Sequence, residues 1–424
     1  MKPNEFKIPR RNFLAASAFL AAPLVLPGRV LGRDGAVPPN EQLTLAVIGT
    51  GNRGKEIAGD LYSDGRCFRI LAVCDCYRKH LEMGKESVDR FTGNSDCRAY
   101  ARYEDVLERG DIDAVGVATP DHWHTKITID AFKKGKDVYC EKPLTLTPME
   151  SRQIVAAARK YNRVCCGGSQ RVMDDYGYIA PIIRGGRIGE VKEVHIAVGG
   201  PPEHFVRDEE PIPDGFDWDR WLGQAPWRPF NWDLCNGGYG GGWRRVYDYG
   251  NGFLADWGGH RLAAALYILG IDHLEPLAVI PPKCEGNDRE FLVWVYPGDI
   301  RIYHIGPHRE DNHELHFFGS EGEFRHDADK RRLSPLRPVE VRRYANGLRR
   351  MPEDFEFCVR NRLRPFQDVE YAAKAALACQ LGNIAYHLNR PLKWNAEKTE
   401  FLDDPQANRF VSRYQREPYT ISID

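Results

Sequence analysis

The sequence predicts an α/β protein in which a doubly wound parallel sheet is followed by an α+β domain on a mostly antiparallel, open sheet. Three observations predict it. Short apolar runs alternate with helical stretches from Leu43 to about Gly168, the pattern of parallel strands joined by crossover helices. A glycine-rich turn, GTGNRG, directly follows the first of those runs. Beyond Gly168, period-2 strands with short turns replace the alternation.

Composition sets the outer bounds. A chain of 424 residues holds roughly two or three domains, and 42% hydrophobic with 28% charged residues is ordinary globular composition. The formal net charge of −1 argues against nucleic acid as a partner, because phosphate binding needs a dense basic surface. Eleven cysteines are scattered without a zinc-knuckle spacing and read as small buried hydrophobes.

Residues 1–42 read as a signal-type segment and linker. Arg10 and Arg11 precede Asn12, Phe13 and Leu14. The apolar stretch after them is broken by Pro23 and is too short for a spanning helix of about 20 residues. The Arg pair followed by x-Phe-Leu points to twin-arginine export, hence to the periplasm or another exported location. A frayed amphipathic N-terminus is the plainer alternative. No later segment reads as a membrane span.

Residues 43–168 form the first predicted domain. Its strands are LTLAVIG, FRILAVCD, IDAVGVATP, DVYCEKP and RVCCGGSQ. HTKITIDAFKKGK and TPMESRQIVAAARKYN read as helices, the second opening on a Thr147 cap and Pro148. Residues 169–424 form the second. EVKEVHIAV, EFLVWVY, DIRIYHI and ELHFFGSEGEF read as its strands, and EYAAKAALACQLGNIAYHL as a long amphipathic helix.

Gly49, Gly51 and Gly54 form G-x-G-x-x-G between a strand and a predicted helix, with Asn52 and Arg53 inside the motif. An acid, Asp75, ends the next strand, as a Rossmann dinucleotide site requires. The first glycine permits the tight turn, the second lets backbone approach a pyrophosphate, and the helix N-terminus offers free amides. Asp75 would accept from ribose hydroxyls and repel a 2′-phosphate, which favours NAD over NADP. Arg78 nearby keeps NADP open.

Two further pieces carry chemistry. Glu141, Lys142 and Pro143 close the fifth strand, at the carboxyl edge where ligands lie in this architecture. Lys142 there fixes a substrate hydroxyl, or is a surface lysine before a turn. Asp256 and His260 are spaced i, i+4. If a helix begins near Asp256, both project from one face of its first turns. A His beside a carboxylate is a plausible general base; an N-cap Asp with a structural His is the bland alternative.

Taken together, the glycine fingerprint, TPDHWH, EKP and D-x-x-x-H resemble the Gfo/Idh/MocA oxidoreductases over nearly all of residues 43–424. LGQAP and RPLKW resemble an exported bacterial branch of that family. The resemblance implies that Lys142 contacts substrate and nicotinamide, and that the bond to Pro143 is cis. It implies that Asp256 and His260 face the nicotinamide, with His260 as proton acceptor oriented by Asp256. Many sugar-oxidising members carry an Asp three residues after that His; here the position is Ala263.

Thr119, Pro120 and His124 are expected to border the nicotinamide, and Gln170, Arg171 and Trp243 to touch substrate; a structural, cleft-lining role competes for several. Six of nine tryptophans lie between Trp218 and Trp257, suited to stacking on sugars or to packing. His304, His308, His313 and His316 lack a metal-binding spacing, and in a strand His313 and His316 would face opposite ways. No metal is expected. The whole predicts an exported, NAD-dependent oxidoreductase of a sugar, glycoside or polyol, working as a homodimer or homotetramer without a membrane span. An NAD-dependent glycoside hydrolase and a non-catalytic sugar or nucleotide sensor are the alternatives.

Overall fold

Strand β1 (Thr44–Ile48) buries both its faces: Leu45 and Val47 enter one apolar cluster, Ala46 and Ile48 another. That is the mark of a strand at the centre of a parallel sheet covered on both sides. The computed structural model describes residues 41–236, 242–307, 313–329 and 333–424. Residues 1–40 of the expected signal-type segment, with its Arg pair, and His308 therefore lie outside the described residues.

Six parallel strands build the first sheet: β1, β2 (Arg69–Cys74), β3 (Arg98–Tyr100), β4 (Ala114–Val117), β5 (Asp137–Cys140) and β6 (Cys165–Gly167). Their order is β3-β2-β1-β4-β5-β6, the doubly wound arrangement predicted. The order reverses beside β1, so the cleft lies at the carboxyl ends of β1 and β4. Helices α1 (Asn52–Tyr62), α2 (Arg78–Thr92), α3 (Asp121–Lys133) and α4 (Pro148–Lys160) cover this sheet. Helix α4 starts as its sequence dictates: Thr147 Oγ1 accepts from the Glu150 amide, with Pro148 in the first turn.

The second sheet has eight strands in the order β12-β11-β7-β10-β9-β8-β13-β14. They are β7 (Val191–Ile196), β8 (Ala278–Ile280), β9 (Leu292–Tyr296), β10 (Ile300–His304), β11 (Leu315–Gly319), β12 (Gly322–Arg325), β13 (Leu392–Asn395) and β14 (Glu400–Phe401). All neighbours pair antiparallel except β7 with β10. His313 precedes β11, so strand alternation does not separate it from His316; the two rings meet at 5.4 Å.

Helices α5 (Gly252–Leu269), α6 (Met351–Asn361) and α7 (Val369–Leu388) complete the core. The sequence suggested an amphipathic α7. Instead it is buried nearly all round, from Val369 to Ala385, because it packs on α4, α5 and strands of both sheets. Its contact with α5 is close: a Cβ on Gly258 would stand 2.5 Å from Cys379 Sγ. Tyr419 and Ile421, near the chain's end, return to the first sheet's apolar cluster. Among the described residues no helix is long and apolar enough to cross a membrane.

Candidate active site

The glycine motif is explained position by position. Gly49 has φ +86°, and a Cβ there would lie 2.7 Å from the Ala118 carbonyl carbon. A Cβ on Gly54 would lie 1.8 Å from the Gly49 oxygen. Among the described residues nothing stands within 4 Å of a Cβ on Gly51, so its bareness serves no packing there. Gly51 caps α1 without a side-chain bond, and no acid occupies the first turn. The α1 amides are thus left to an anion brought from outside.

These glycines open onto a cavity of about 300 Å³ that runs along the carboxyl edge of the sheet. Asn52, Arg53, Asp75, Thr119 and Pro120 line it, as expected. Asp75 Oδ2 accepts from the Thr50 amide (2.8 Å) and Oδ1 from the Tyr77 amide (2.9 Å), which fixes the carboxylate at the cavity wall. Thr119 Oγ1 is buried without a partner. An unfilled glycine cradle, an anchored acid and an orphaned hydroxyl together fit a nicotinamide dinucleotide.

Two expected cofactor contacts are placed elsewhere. The Arg78 guanidinium pairs with Asp214 and is not part of the cavity wall. His124 is buried behind the wall, with Nδ1 2.8 Å from the Pro143 carbonyl and Nε2 2.9 Å from the Thr119 carbonyl. It brackets the two loops that frame the site rather than facing a ligand.

The tryptophan-rich segment takes the packing role that its sequence left open beside sugar stacking. Phe216, Trp221, Trp232 and Trp243 line the dinucleotide cavity, with Tyr77 stacked on Phe216 at 4.8 Å. The segment is strapped to the loop after Asp75: the Arg78 amide donates to Gly215 O (2.9 Å) and the Asp217 amide to Cys76 O (3.0 Å). Arg220 clamps Glu104 through two contacts of 2.9 and 3.0 Å. Trp218 stacks on Trp221 inside this strap instead of facing a sugar.

Lys142 follows β5 and is joined to Pro143 by a cis peptide bond. Its Nζ donates to Asp256 Oδ1 (2.6 Å) and to the Asp256 carbonyl (2.9 Å). Gly259 makes room for the lysine stem, since a Cβ there would lie 3.3 Å from Lys142 Cβ. Glu141 Oε1 accepts from Arg53 Nε (3.0 Å), and Oε2 from the Lys142 amide (3.2 Å). Arg53 is held charged by Glu141 and Glu56 despite its burial.

The expected Asp–His couple is not formed. Helix α5 begins at Gly252, so Asp256 sits a turn inside it and caps nothing. Asp256 and His260 still share a face, but the Asp256 carboxylate is engaged by Lys142, and no hydrogen bond joins it to His260. His260 Nδ1 is buried with no partner. Burial, then the positive charges of Lys142, Arg171 and Arg53, push the His260 pKa well below the ordinary histidine value. The ring is therefore neutral and able to accept a proton or a hydrogen bond.

Gln170 opens a short helix (Arg171–Asp174), and its Oε1 is another buried acceptor without a partner. Arg171 lies over the Trp257 ring (5.3 Å) and pairs with Asp175 at 2.8 Å. Ala263 is buried, one turn beyond His260. His304 is held by Tyr386 Oη (2.7 Å) and Val198 O (3.0 Å). Glu314, His326 and Asp327 stand close together, but Glu314 is already engaged by Arg261 (2.5 Å) and Tyr176 (3.0 Å).

Two residues escaped the sequence reading. Arg244 lines the cavity, stacks over Trp243 at 4.4 Å and brings Nε to 3.6 Å from Asp256 Oδ1. It links the dinucleotide cavity to the Lys142–Asp256 pair. Asp121 is buried at the start of α3; burial, then the Asp256 charge, drive its pKa well up, against Arg244 and Lys142. Its place directly after Pro120, at the carboxyl edge of β4, was the available signal.

Comparison with known proteins agrees with this geometry. Residues 43–169 match the oxidoreductase family with an NAD-binding Rossmann fold, and residues 204–421 match the oxidoreductase family's C-terminal α/β domain. Inositol 2-dehydrogenase 1 of Paenarthrobacter aurescens is 30% identical over 170 residues, 39% of this chain and 49% of that protein. Alpha-N-acetylgalactosaminidase of Shewanella oneidensis is 26% identical over 215 residues, 43% of this chain and 44% of that protein. The chain spans about half the length, 49% and 44%, of these curated relatives. Among solved structures, the aldose-aldose oxidoreductase of Caulobacter crescentus superposes with TM-score 0.56 at 19% identity, covering 84% of this chain and 100% of that one. The myo-inositol 2-dehydrogenase of Lactobacillus plantarum gives the same TM-score, 0.56, at 19% identity and the same coverage, 84% and 100%. The chain belongs to the Gfo/Idh/MocA family of oxidoreductases.

Proposed function

We propose that this protein moves a hydride between a carbon of a sugar, glycoside or polyol and a tightly held nicotinamide dinucleotide, NAD rather than NADP. One observation carries the reading: a buried, neutral His260 whose ring makes no hydrogen bond among the described residues, on the same helix face as Asp256, which holds the Lys142 ammonium. An acceptor and a cation so arranged suit a single hydroxyl, the His taking its proton and the Lys holding its oxygen.

Gly49, Gly51, Asp75 and Thr119 would hold the dinucleotide, which supplies the hydride acceptor when bound. Lys142 stabilises the negative charge that develops on the substrate oxygen as the proton leaves. Asp256 positions Lys142, and Arg244 steadies Asp256 from the cavity side. His260 receives the proton on its imidazole; burial and the same cations that depress its pKa keep it neutral beforehand. Asp75 at the wall, with Arg78 drawn off to Asp214, favours a ribose without a 2′-phosphate.

Tight retention fits the strap over the cavity and fits the expected export, since little free NAD exists outside the cytoplasm. Export by the twin-arginine route and assembly into a dimer or tetramer belong to the same reading. Mass spectrometry of the heat-released ligand and light scattering of the pure protein check them; an empty protein with weak NAD affinity, or a monomer, opposes them. Incubation with sugars and glycosides, with and without added NAD, tests the reaction. Product formed only with stoichiometric cofactor reduction means net oxidation. The relative named α-N-acetylgalactosaminidase favours a second reading, in which transient oxidation drives loss of an aglycone without net cofactor change. No turnover of any polyol, sugar or glycoside would sink both.

A further inference from the structure

Arg244 stands in a short turn, Gly242–Arg245, where the dinucleotide cavity meets the Lys142–Asp256 pair. Its guanidinium lies over the Trp243 ring at 4.4 Å, and its side chain is only 17% exposed. Among the described residues the one acid within 4 Å of it is Asp256, whose Oδ1 stands 3.6 Å from Nε, beyond hydrogen-bond distance. No described residue accepts a hydrogen bond from it. A guanidinium carries five N–H donors, and leaving them without an acceptor in a largely buried place costs free energy.

The charges around it do not balance. Lys142 and Arg244 share a single carboxylate, and Asp256 Oδ1 already takes the Lys142 ammonium at 2.6 Å. Asp121 is the second acid near both, but burial and then the Asp256 charge favour its neutral form, against Arg244 and Lys142. The other cations near His260 have acids of their own: Arg53 has Glu141 and Glu56, Arg171 has Asp175, and Arg261 has Glu314. Farther along the cavity Arg220 pairs with Glu104, and Asp75, with His80 3.9 Å away, stands on the wall assigned to the ribose. Among the described residues one positive charge is thus left over beside the substrate site. A sequestered, unmatched charge is stabilised by an opposite one held against it. The phosphates of a dinucleotide are provided for elsewhere, at Gly51 and the free amides of α1. The counter-charge at Arg244 is therefore left to the substrate. A carboxylate matches one excess cation and fits the planar guanidinium fork, whereas a phosphate ester brings roughly −1.5 to −2 at pH 7.

We propose that Arg244 is a substrate-binding residue that selects a sugar acid, such as a hexuronate, by holding its carboxylate while Lys142 and His260 act on a hydroxyl. This rests on the hydride-transfer reading and narrows its substrate class. Trp243 fixes the plane of the guanidinium, so the fork is set before the acid arrives.

The test is calorimetry of the NAD-saturated full chain with D-glucuronate and D-galacturonate, each against glucose and galactose, and with glucose 6-phosphate. Reduction of NAD by the same compounds is followed in parallel. The acids should bind about tenfold or more tightly than their neutral counterparts. Arg244→Gln should weaken the acids about 10- to 100-fold, abolish the preference, and leave the neutral sugars and NAD bound as before. If that variant does not fold, Arg244→Lys, which keeps the charge but not the fork, should retain a weaker preference for the acids. Acids bound through Arg244 without turnover support the anion site and count against hydride transfer. Turnover of neutral sugars with no hold on the acids supports hydride transfer and overturns the anion site. Equal binding of acid and neutral sugar, preference for the phosphate ester, a preference that survives Arg244→Gln, or loss of NAD rather than acid affinity in that variant would each overturn the proposal.

Discussion

At the scale of single residues, the site is organised by which polar atoms are satisfied and which are not. Lys142 and Asp256 satisfy one another at 2.6 Å, while His260 Nδ1 is left bare. If Lys142 stabilises the substrate oxygen as proposed, replacing it by Met removes that cation and should lower kcat/KM by on the order of 10²–10³. Dinucleotide affinity should be nearly unchanged, because the cradle of Gly49, Gly51 and Asp75 is untouched. Steady-state rates with a parallel NAD titration measure both. His260→Gln should cost a similar or larger factor, about 10²–10⁴, since an amide cannot take a proton. These residues were legible in the sequence because motif and strand end coincide. Their bonding was not. The i, i+4 spacing put Asp256 and His260 on one face, but the lysine that claims Asp256 lies 114 positions away. No local pattern reports such a partner.

Secondary-structure elements show the same division. The strands read from sequence were legible in two ways: those of the first sheet as short apolar runs buried on both faces, those of the second from period-2 alternation, while β3, β8, β13 and β14 were too short to read. Helix α7 was misjudged as amphipathic because wrapping by both sheets is a tertiary fact. Its Gly382 makes that wrapping testable. A Cβ there would stand 2.8 Å from Trp294 Cζ2, and the fully buried indole is pinned by its bond to Ala378 O at 2.7 Å. Alanine gains up to about 1 kcal/mol in helix propensity. Overpacking against an immobile ring costs about 1–3 kcal/mol. The second term should win, and Gly382→Ala should unfold at lower temperature in a calorimetric scan. The strap offers a kinetic counterpart. Its main-chain bonds between 76–78 and 215–217 are reinforced by Arg220 on Glu104. Arg220→Ala should release the bound dinucleotide about tenfold faster, equivalent to about 1.4 kcal/mol, with little change in the chemical step. Stopped-flow displacement of the cofactor reads this directly; an unchanged rate means the strap does not gate release.

For the whole molecule, four buried histidines make stability depend on pH. His122 lies under the strap with no exposed surface; Nε2 donates to Trp221 O at 3.0 Å, and Nδ1 has no partner. Burial pulls its pKa down to about 4. His124, His260 and His304 are depressed in the same direction, again first by burial. The sign follows from linkage. Unfolded histidine takes a proton near pH 6.5, while the folded protein refuses it until much lower pH. The unfolded state therefore binds more protons between those values, and stability falls as pH drops below about 6.5. For His122 alone, going from pH 7.5 to 5 should cost about 2 kcal/mol, and the loss saturates near its folded pKa. Urea unfolding across this range should show a slope exceeding one proton, since all four groups contribute. His122→Gln keeps the donor to Trp221 O but cannot titrate, so it should flatten the acid limb by about the same 2 kcal/mol. An acid limb that His122→Gln leaves unchanged means that this ring is already charged when folded.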